Sequence, residues 1–129
     1  IDGAHNEGGA KALVEAIKQY FSDTRIIFIF GLMKDKDIHS ILKYICSIAN
    51  CIITITPDSD RAMQGEELAN IINKDYKINS MFCSNLILAV NKSIEQYEEL
   101  KQLDEKCLIC ACGSLYYIGE IRKMFDTIN

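Results

Sequence analysis

Four short apolar runs recur along the chain, and amphipathic stretches separate them. They read "RIIFIF", "CIITIT", "INSMFC" and "CLICAC", at residues 25–30, 51–56, 78–83 and 107–112. The apolar residues are nearly continuous rather than alternating, although the third run is weaker than the others. Continuous runs of this length are typical of strands that are buried on both faces of a parallel sheet. We therefore predict a strand at each run.

The apolar residues outside these runs recur at helical spacing, three or four residues apart. This spacing predicts five helices: one before the first run, one in each interval and one at the end. Their apolar faces are marked by Ala10, Leu13, Val14, Ile17 and Phe21; Ile38, Ile41, Leu42, Ile45 and Ala49; Leu68, Ala69 and Ile72; Val90, Ile94 and Tyr97 within 85–102; and Leu115, Ile118, Ile121, Arg122 and Phe125. The alternation of strands and helices predicts an α/β fold, a three-layer Rossmann-like sandwich with a mostly parallel sheet and right-handed crossovers.

The chain opens on "IDGAHN", in which an apolar residue is followed at once by turn-forming and polar residues. This pattern predicts that Ile1 is the last residue of a strand and that residues 2–6 form a functional turn. A strand of one or two residues contributes little to a sheet. We therefore predict a sheet of about five to six strands with its first strand truncated. Residues 1–129 would then form one domain, a piece of a longer protein.

Composition and charge exclude several classes of partner. The formal net charge is −4, and no basic stripe of the kind that binds a phosphate backbone is present, so nucleic acid is not an expected partner. No apolar run approaches the roughly 18 residues that a membrane span needs, so no membrane partner is expected either. A single small anion such as ATP stays possible, because it needs only a few local donors.

Six cysteines occur in the chain, and only Cys107 and Cys110 show C-x-x-C spacing. No second pair and no nearby histidine completes a zinc set, so we predict no metal site. The alternatives are disulfides or buried thiols. Because Cys51 and the three cysteines of "CLICAC" lie in predicted strands, we expect reduced cysteines acting as small core residues in a cytoplasmic protein.

Ligands of an open α/β sheet bind beyond the carboxyl ends of the strands, so the segments that follow the strands are the place to search for a site. These segments are residues 2–9, 31–37, 56–67 and 112–122, and they hold most of the glycines and several close Asp, Lys, Arg and Ser residues. Neither G-x-G-x-x-G nor the P-loop pattern G-x-x-x-x-G-K-[ST] is present. The residues therefore predict a polar rim able to meet a small anionic ligand, without defining a reaction.

Each of these polar residues also has a purely structural interpretation. Asn6 and Asp37 are suited to capping the helices that follow them, and His5 to a surface turn. Asp58 and its neighbours 59–60 form a good turn after Pro57. Residues 113–114 could be a strand exit and a helix cap, and His39 lies early in a predicted helix.

Four segments, each at a strand end and in the same order, resemble a known family. They are "DGAHN" (2–6), "GLMKDKD" (31–37), "PDSDRAMQGEELA" (57–69) and "GSLYYIGEIR" (113–122). Together they are similar to the C-terminal domain of folylpolyglutamate synthase and dihydrofolate synthase, members of the Mur ligase superfamily of ATP-dependent amide ligases. The resemblance runs from residue 2 to about residue 123. It departs from the family at Glu7, where the family has Pro, and both residues suit the first turn of a helix.

The resemblance implies a reaction and its partners. ATP activates a carboxylate of folate, or of its glutamate tail, as an acyl phosphate, and the amine of L-glutamate attacks it; dihydropteroate is the alternative acceptor. ATP lies in a cleft between this domain and a central P-loop ATPase domain. That central domain holds most of the ATP and the Mg²⁺, so the isolated chain should be inactive.

The resemblance also assigns roles to particular residues. Asp2 approaches the nucleotide, and His5 and Asn6 lie on the same ATP side. Lys36 and Arg61 are candidates for stabilising charge on the phosphoryl group. The candidate substrate-binding residues are Asp35, Asp58 and Ser114.

Two other interpretations stay open. A different Mur-type amino-acid ligase would keep the fold and change the substrate, although "GSLYYIGEIR" favours folate. A stand-alone, non-catalytic α/β ligand-binding module is the other, supported by the short length and the absence of a P-loop.

Overall fold

A computed structural model of the chain describes residues 5–113. Its strands are β1 (Arg25–Gly31), β2 (Ala49–Thr54), β3 (Asn79–Phe82) and β4 (Cys107–Gly113). Its helices are α1 (Glu7–Tyr20), α2 (Ile38–Ile48), α3 (Gly65–Ile71), which runs into a π-helical turn (Ile72–Tyr76), and α4 (Leu86–Gln102). The strands form one sheet in the order β3-β2-β1-β4, and every neighbouring pair is parallel.

The predicted α/β sandwich is confirmed, but the strand number is lower than predicted. Residues 5–113 contain four strands rather than five to six. The four strands correspond to the four apolar runs. Each run is long enough to form a ladder of hydrogen bonds with a neighbouring strand. The additional strand was predicted from Ile1, which lies outside the described residues. The helix predicted near residues 115–125 lies outside them as well.

The sheet is buried on both faces, as the continuous apolar runs predicted. In β1, Ile26, Phe28 and Phe30 face the layer built by α1, α2 and α3, while Ile27 and Ile29 face α4. All five side chains are at most 1% exposed. Because successive strand side chains point to opposite faces, a strand covered on both faces is apolar along its buried stretch, here residues 26–30 of β1.

Side-chain caps define where the helices begin. The Asn6 side chain accepts a hydrogen bond from the Gly9 amide at 2.7 Å. The Asp37 carboxylate accepts hydrogen bonds from the Ser40 hydroxyl at 2.6 Å and the Ser40 amide at 3.4 Å. These bonds hold the pKa of Asp37 below its usual value. The capping interpretations of Asn6 and Asp37 are therefore confirmed.

Two helix ends were predicted too far along the chain. Phe21 follows the last residue of α1 and is 47% exposed, because the chain turns through Asp23, whose φ is +55°, to enter β1. Ala49 is the first residue of β2 and pairs with Ile26, so its backbone is extended rather than helical. Both residues continue the helical spacing by chance: strand pairing decides the conformation of Ala49, and the turn into β1 decides that of Phe21.

Of the four cysteines predicted in strands, Cys51, Cys110 and Cys112 are core residues and Cys107 is half-buried, while Cys46 in α2 is a further core residue. Burial raises the pKa of Cys46 to about 12 and that of Cys51 to about 11. Both thiols are therefore protonated and unreactive at neutral pH. Between residues 5 and 113, no helix combines the length and the apolar character that crossing a membrane requires.

Candidate functional site at the carboxyl edge of the sheet

The loops that follow β1 and β2 are joined to each other. Met33 and Ala62 form an isolated antiparallel bridge. Beside it, the Lys34 amide donates to the Arg61 carbonyl at 2.7 Å, and the Met63 amide donates to the carbonyl of Leu32 at 2.9 Å. The loops at 32–37 and 55–64, each singled out by its own sequence motif, therefore form one structural unit.

This short ladder places two cations opposite each other on the solvent side. Met33 and Ala62 are buried, at 6% and 3% exposure. Lys34 and Arg61, the next residues on each strand of the ladder, are exposed. Neither residue takes part in the three salt bridges within residues 5–113, which pair Arg25 with Glu105, Lys43 with Glu7, and Lys92 with Glu95.

The two exposed cations are groups that an anionic ligand can use. The planar guanidinium of Arg61 suits a bidentate contact with a carboxylate or phosphate, and Lys34 would add a point charge. The same loops carry the carboxylates of Asp35, Asp58 and Asp60, which are exposed. The edge is therefore a mixed surface on which one opposed cation pair is the feature best suited to an anionic group.

The base of the 55–64 loop is closed by hydrogen bonds. The buried Thr54 hydroxyl donates to the Gly65 carbonyl at 2.6 Å, and the Gly65 amide donates to the Thr56 hydroxyl at 2.8 Å. A Cβ at Gly65 would lie 2.7 Å from the Ile55 carbonyl carbon and 2.8 Å from Phe82 Cδ1. Only glycine fits there without displacing the backbone, so Gly65 fixes where α3 begins and holds the loop against β2.

The turn inside this loop is as predicted. The Ser59 amide donates to the Pro57 carbonyl at 2.9 Å, and the Ala62 amide donates to the Ser59 carbonyl at 3.1 Å. The Ser59 hydroxyl also accepts from the Arg61 amide at 3.2 Å. These bonds orient the segment that presents Asp58 and Arg61.

The carboxyl ends of β1 and β4 approach each other closely. Gly31 and Gly113 are register partners, and the φ of Gly113 is +105°. A Cβ at Gly113 would overlap the Gly31 carbonyl oxygen. A residue with a side chain fits neither the space nor the backbone conformation, so this position requires glycine.

The predicted site residues fall into two groups. Lys36 and Asp35 share the joined loops with Asp58 and Arg61, and the Lys36 amide donates to the Met33 carbonyl at 3.3 Å. Lys36 is half-buried, and the other three are exposed. The structure therefore brings these four predicted residues to one edge.

The second group, His5 and Asn6, lies at the start of α1. His5 is half-buried and directly precedes Asn6, whose side-chain carbonyl is engaged in the cap of α1. The cap does not use the Asn6 amide nitrogen, a donor suited to an anionic ligand. Asp2 and Ser114 lie outside the described residues, so their predicted roles stay predictions.

Sequence reasoning missed two features of this region. Lys34 was passed over although it lies in the same "KDKD" run as Lys36, because its position opposite Arg61 depends on pairing between the two loops. The second is a contact between His39 Nδ1 and the Tyr76 hydroxyl, 2.9 Å apart, with the rings stacked. It ties the start of α2 to the π-helical turn, and burial raises the pKa of Tyr76.

These features define a Rossmann-like α/β domain whose ligand edge is built from joined, charged loops after parallel strands. The chain belongs to the family described as the Mur ligase, glutamate ligase domain, whose profile matches residues 1–115. The family resemblance predicted from the four segments is thereby confirmed.

A curated relative and two solved structures support the assignment. The Bacillus subtilis (strain 168) dihydrofolate synthase/folylpolyglutamate synthase is 34% identical over 126 residues, which cover 95% of this chain and 26% of the relative. A structure of Mycobacterium tuberculosis folylpolyglutamate synthase complexed with ADP and AMPPCP matches with a TM-score of 0.88 at 24% identity, over 97% of this chain and 29% of that one. Folylpolyglutamate synthase from Thermotoga maritima matches with a TM-score of 0.72 at 25% identity, over 99% and 27%. The chain thus spans less than a third of each of these proteins.

Proposed function

We propose that this chain is the C-terminal domain of an ATP-dependent carboxylate–amine ligase of the folylpolyglutamate synthase type. The longer protein would add L-glutamate to folate, or to dihydropteroate. The observation that carries the proposal is the pair of joined loops, with Lys34 opposite Arg61, at the ligand edge of a domain in this family. The curated relative from Bacillus subtilis supports the choice of folate over other acceptors.

The proposed chemistry needs cationic groups at this edge. ATP supplies the phosphoryl group that converts the substrate carboxylate to an acyl phosphate, and the amine of L-glutamate then displaces inorganic phosphate to form the amide. Negative charge develops on the transferred phosphoryl oxygens, and preorganised cations stabilise it. Lys36 and Arg61 are the candidates predicted for this role, and Lys34, which lies opposite Arg61, is a third. Asp2, His5 and Asn6 would contact the nucleotide, and Asp35, Asp58 and Ser114 the substrate.

The proposed partner is the protein's own central ATPase domain, so this domain would form one wall of the cleft. No group of three His, Cys, Asp or Glu side chains in residues 5–113 is placed to hold a cation. As the family resemblance implies, Mg²⁺ would be bound mainly by the central domain, and we assign no step to it here. A cytoplasmic location belongs to the same proposal, because Cys46 and Cys51 are buried thiols that form no disulfide, as is usual in a reducing compartment.

The first test of the proposal is the mass of the native protein, measured by immunoblot of its own cells with antibody to this domain. We expect a band whose mass is several times that of a 129-residue chain. The protein in that band should add glutamate in an ATP-dependent reaction. A band at the size of this chain would contradict the proposal and favour a stand-alone binding module.

The second test is Arg61→Gln in the complete protein. Loss of one preorganised cation from a phosphoryl-transfer site should lower kcat/KM roughly 10- to 100-fold, which corresponds to about 1.4–2.7 kcal/mol. Because Arg61 is exposed, thermal stability should not change.

Asp2→Ala should likewise lower turnover while leaving the fold intact. Steady-state kinetics with varied ATP and L-glutamate measure both effects.

Arg25→Gln is the matched control for these variants. Arg25 is an exposed arginine at the amino end of β1, where its salt bridge with Glu105 spans 3.8 Å. It should leave kcat/KM unchanged. Equal rates for Arg61→Gln, Asp2→Ala and the unsubstituted protein would rule out the assigned roles.

A different Mur-type amino-acid ligase is the second candidate, because the matching family description names the glutamate ligase domain without naming an acceptor. Assaying the complete protein with folate, dihydropteroate and peptidoglycan-precursor acceptors separates the two. Turnover with peptidoglycan-precursor acceptors alone would indicate that the complete protein is a different Mur-type amino-acid ligase.

A further inference from the structure

The side chains of His39 and Tyr76 connect the two helical segments that follow the joined loops. His39 Nδ1 and the Tyr76 hydroxyl oxygen are 2.9 Å apart. The two rings are also stacked, with their centroids 6.1 Å apart and their planes inclined by 24°. His39 lies in the first turn of α2, and Tyr76 ends the π-helical turn that continues α3. A hydrogen bond and a ring contact thus link the same two residues.

The contact can form in either protonation state of the histidine. The Tyr76 hydroxyl donates to Nδ1 when the imidazole proton lies on Nε2, and its oxygen accepts when Nδ1 carries a proton. Burial raises the pKa of Tyr76, and the neighbouring Cys46, Asp75 and Asp37 raise it further. Tyr76 is therefore a neutral phenol at neutral pH, able to act as donor or acceptor.

The π-helical turn that presents Tyr76 is itself fixed to the sheet. The Asn73 side chain donates to the Ser80 carbonyl and accepts from the Ser80 amide, each at 2.8 Å. The Ser80 hydroxyl donates to the Ile52 carbonyl in β2 at 2.9 Å. Tyr76 also packs on the larger core cluster. Tyr76 therefore reaches α2 from a base anchored to two strands, and π-helical turns of this kind frequently lie at functional sites.

The His39–Tyr76 contact is the second cross-link between two segments of the chain. One segment is the loop after β1 together with α2, and the other is the loop after β2 together with α3 and its π-helical turn. The Met33–Ala62 bridge joins the two loops, and the His39–Tyr76 contact joins the helices that follow them. A single link lets one segment rotate against the other, whereas two links restrict that rotation.

We propose that His39 and Tyr76 are positioning residues that set the geometry of the joined loops, and with it the placement of Lys34 and Arg61 toward an anionic group. This inference rests on the proposed function. The two residues act on the site through the loops, so their role is positioning rather than catalysis. Because a displacement of about 1 Å at a reacting centre can lower a rate strongly, the effect should be visible in kcat.

Amide hydrogen exchange in the complete protein tests the loop geometry. Tyr76→Phe removes the hydroxyl and keeps the ring. The amides of Lys34 and Met63 donate across the joined loops, so they should exchange roughly three- to fivefold faster, which corresponds to about 0.6–1.0 kcal/mol. The Arg25 amide donates to the Lys106 carbonyl at the opposite end of the sheet and should exchange at an unchanged rate. Unchanged exchange at both loop amides would overturn the inference.

Steady-state kinetics of the same variant test the consequence for the rate, at a temperature well below the unfolding transition. The kcat of Tyr76→Phe should fall roughly three- to fivefold and the KM for ATP should change less, because the positioned cations act on charge that develops in the transition state. Tyr44→Phe is the matched control. It removes a phenol hydroxyl from α2 itself, where Lys43 Nζ lies 5.0 Å from the Tyr44 ring centroid, and it should change neither constant. Equal kcat values for the two variants would contradict the positioning role.

Substitutions at His39 show whether the two residues act as a pair. His39→Leu should lower kcat as Tyr76→Phe does, and the double variant should be no slower than either single variant, because one contact is lost in all three. His39→Asn places an amide on the side-chain carbon that bears Nδ1, and it should retain more of the rate than His39→Leu. Losses that multiply in the double variant, without rescue by asparagine, would mean that the residues act independently and that the proposed pair is wrong.

The two kinds of measurement separate this inference from the proposed function. Faster exchange of the loop amides in a complete protein that does not add glutamate would support the positioning of the loops and contradict the proposed reaction. Glutamate addition at equal rates by Tyr76→Phe, Tyr44→Phe and the unsubstituted protein would leave the proposed function standing and the positioning role wrong.

Discussion

Gly113→Ala is expected to destabilise the domain by about 2–6 kcal/mol. The φ of +105° at this position costs a residue with a side chain about 1–3 kcal/mol. Overlap of the new Cβ with the Gly31 carbonyl oxygen adds overpacking of about 1–3 kcal/mol. The Gly31 oxygen belongs to the backbone of the central strand, so it cannot rotate away as a flexible side chain would. Urea denaturation followed by circular dichroism measures the loss.

Gly8→Ala is the matched control, because Gly8 lies in the first turn of α1 with open space around it. The nearest atom to an added Cβ is Asn6 Oδ1, at an ordinary contact distance of 3.7 Å. Alanine in a helix is more favourable than glycine by about 0.5–1 kcal/mol. The free energy of unfolding should therefore stay equal or rise. A Gly113→Ala protein as stable as the Gly8→Ala protein would show that the end of β4 can relax.

Phe28→Ala is expected to lower the free energy of unfolding by about 3–5 kcal/mol. Phe28 lies at the centre of β1, is fully buried and belongs to the larger of the two core clusters, between the sheet and α1, α2 and α3. Its register partners are Ile52 and Cys110, so strands on both sides prevent collapse around the cavity. Native stabilities near 5–15 kcal/mol leave little margin for such a loss.

Phe21→Ala makes the same chemical change outside the core. Phe21 is 47% exposed just after α1, and its removal should change stability by no more than about 0.5 kcal/mol. The two phenylalanine variants are compared by thermal and urea denaturation. Similar transition midpoints would mean that the packing on β1 adapts far more than a sheet paired on both sides should allow.

The features predicted well from sequence are those set by short-range patterns. "RIIFIF" indicated a doubly buried strand because neither face of β1 admits a polar residue. Asn6 and Asp37 were recognisable as caps because their hydrogen bonds reach only three residues along the chain. Two of the motif segments, 31–37 and 57–69, lie at the ends of β1 and β2, where the fold concentrates its ligand loops.

The features that sequence did not supply depend on contacts between distant segments. The Met33–Ala62 bridge joins two loops, and no local signal in either loop specifies it. The same holds for Tyr76, whose hydroxyl reaches His39 only because a π-helical turn rotates it toward α2. Ala49 was assigned to a helix by spacing and taken into β2 by pairing with Ile26, a case in which tertiary structure overrides local pattern.

The strand order β3-β2-β1-β4 also bears on how the domain folds. Along the chain, β1, β2 and β3 pair successively, whereas β4 returns from the far end of the described residues to pair with β1 from Arg25 to Gly31. During synthesis β1 therefore emerges before β4, and its pairing with β4 must wait until residues 107–113 leave the ribosome. Such late, long-range pairing slows folding and leaves an edge available to other chains. We expect nascent chains stopped before residue 107 to aggregate. Chains that include β4 should aggregate less.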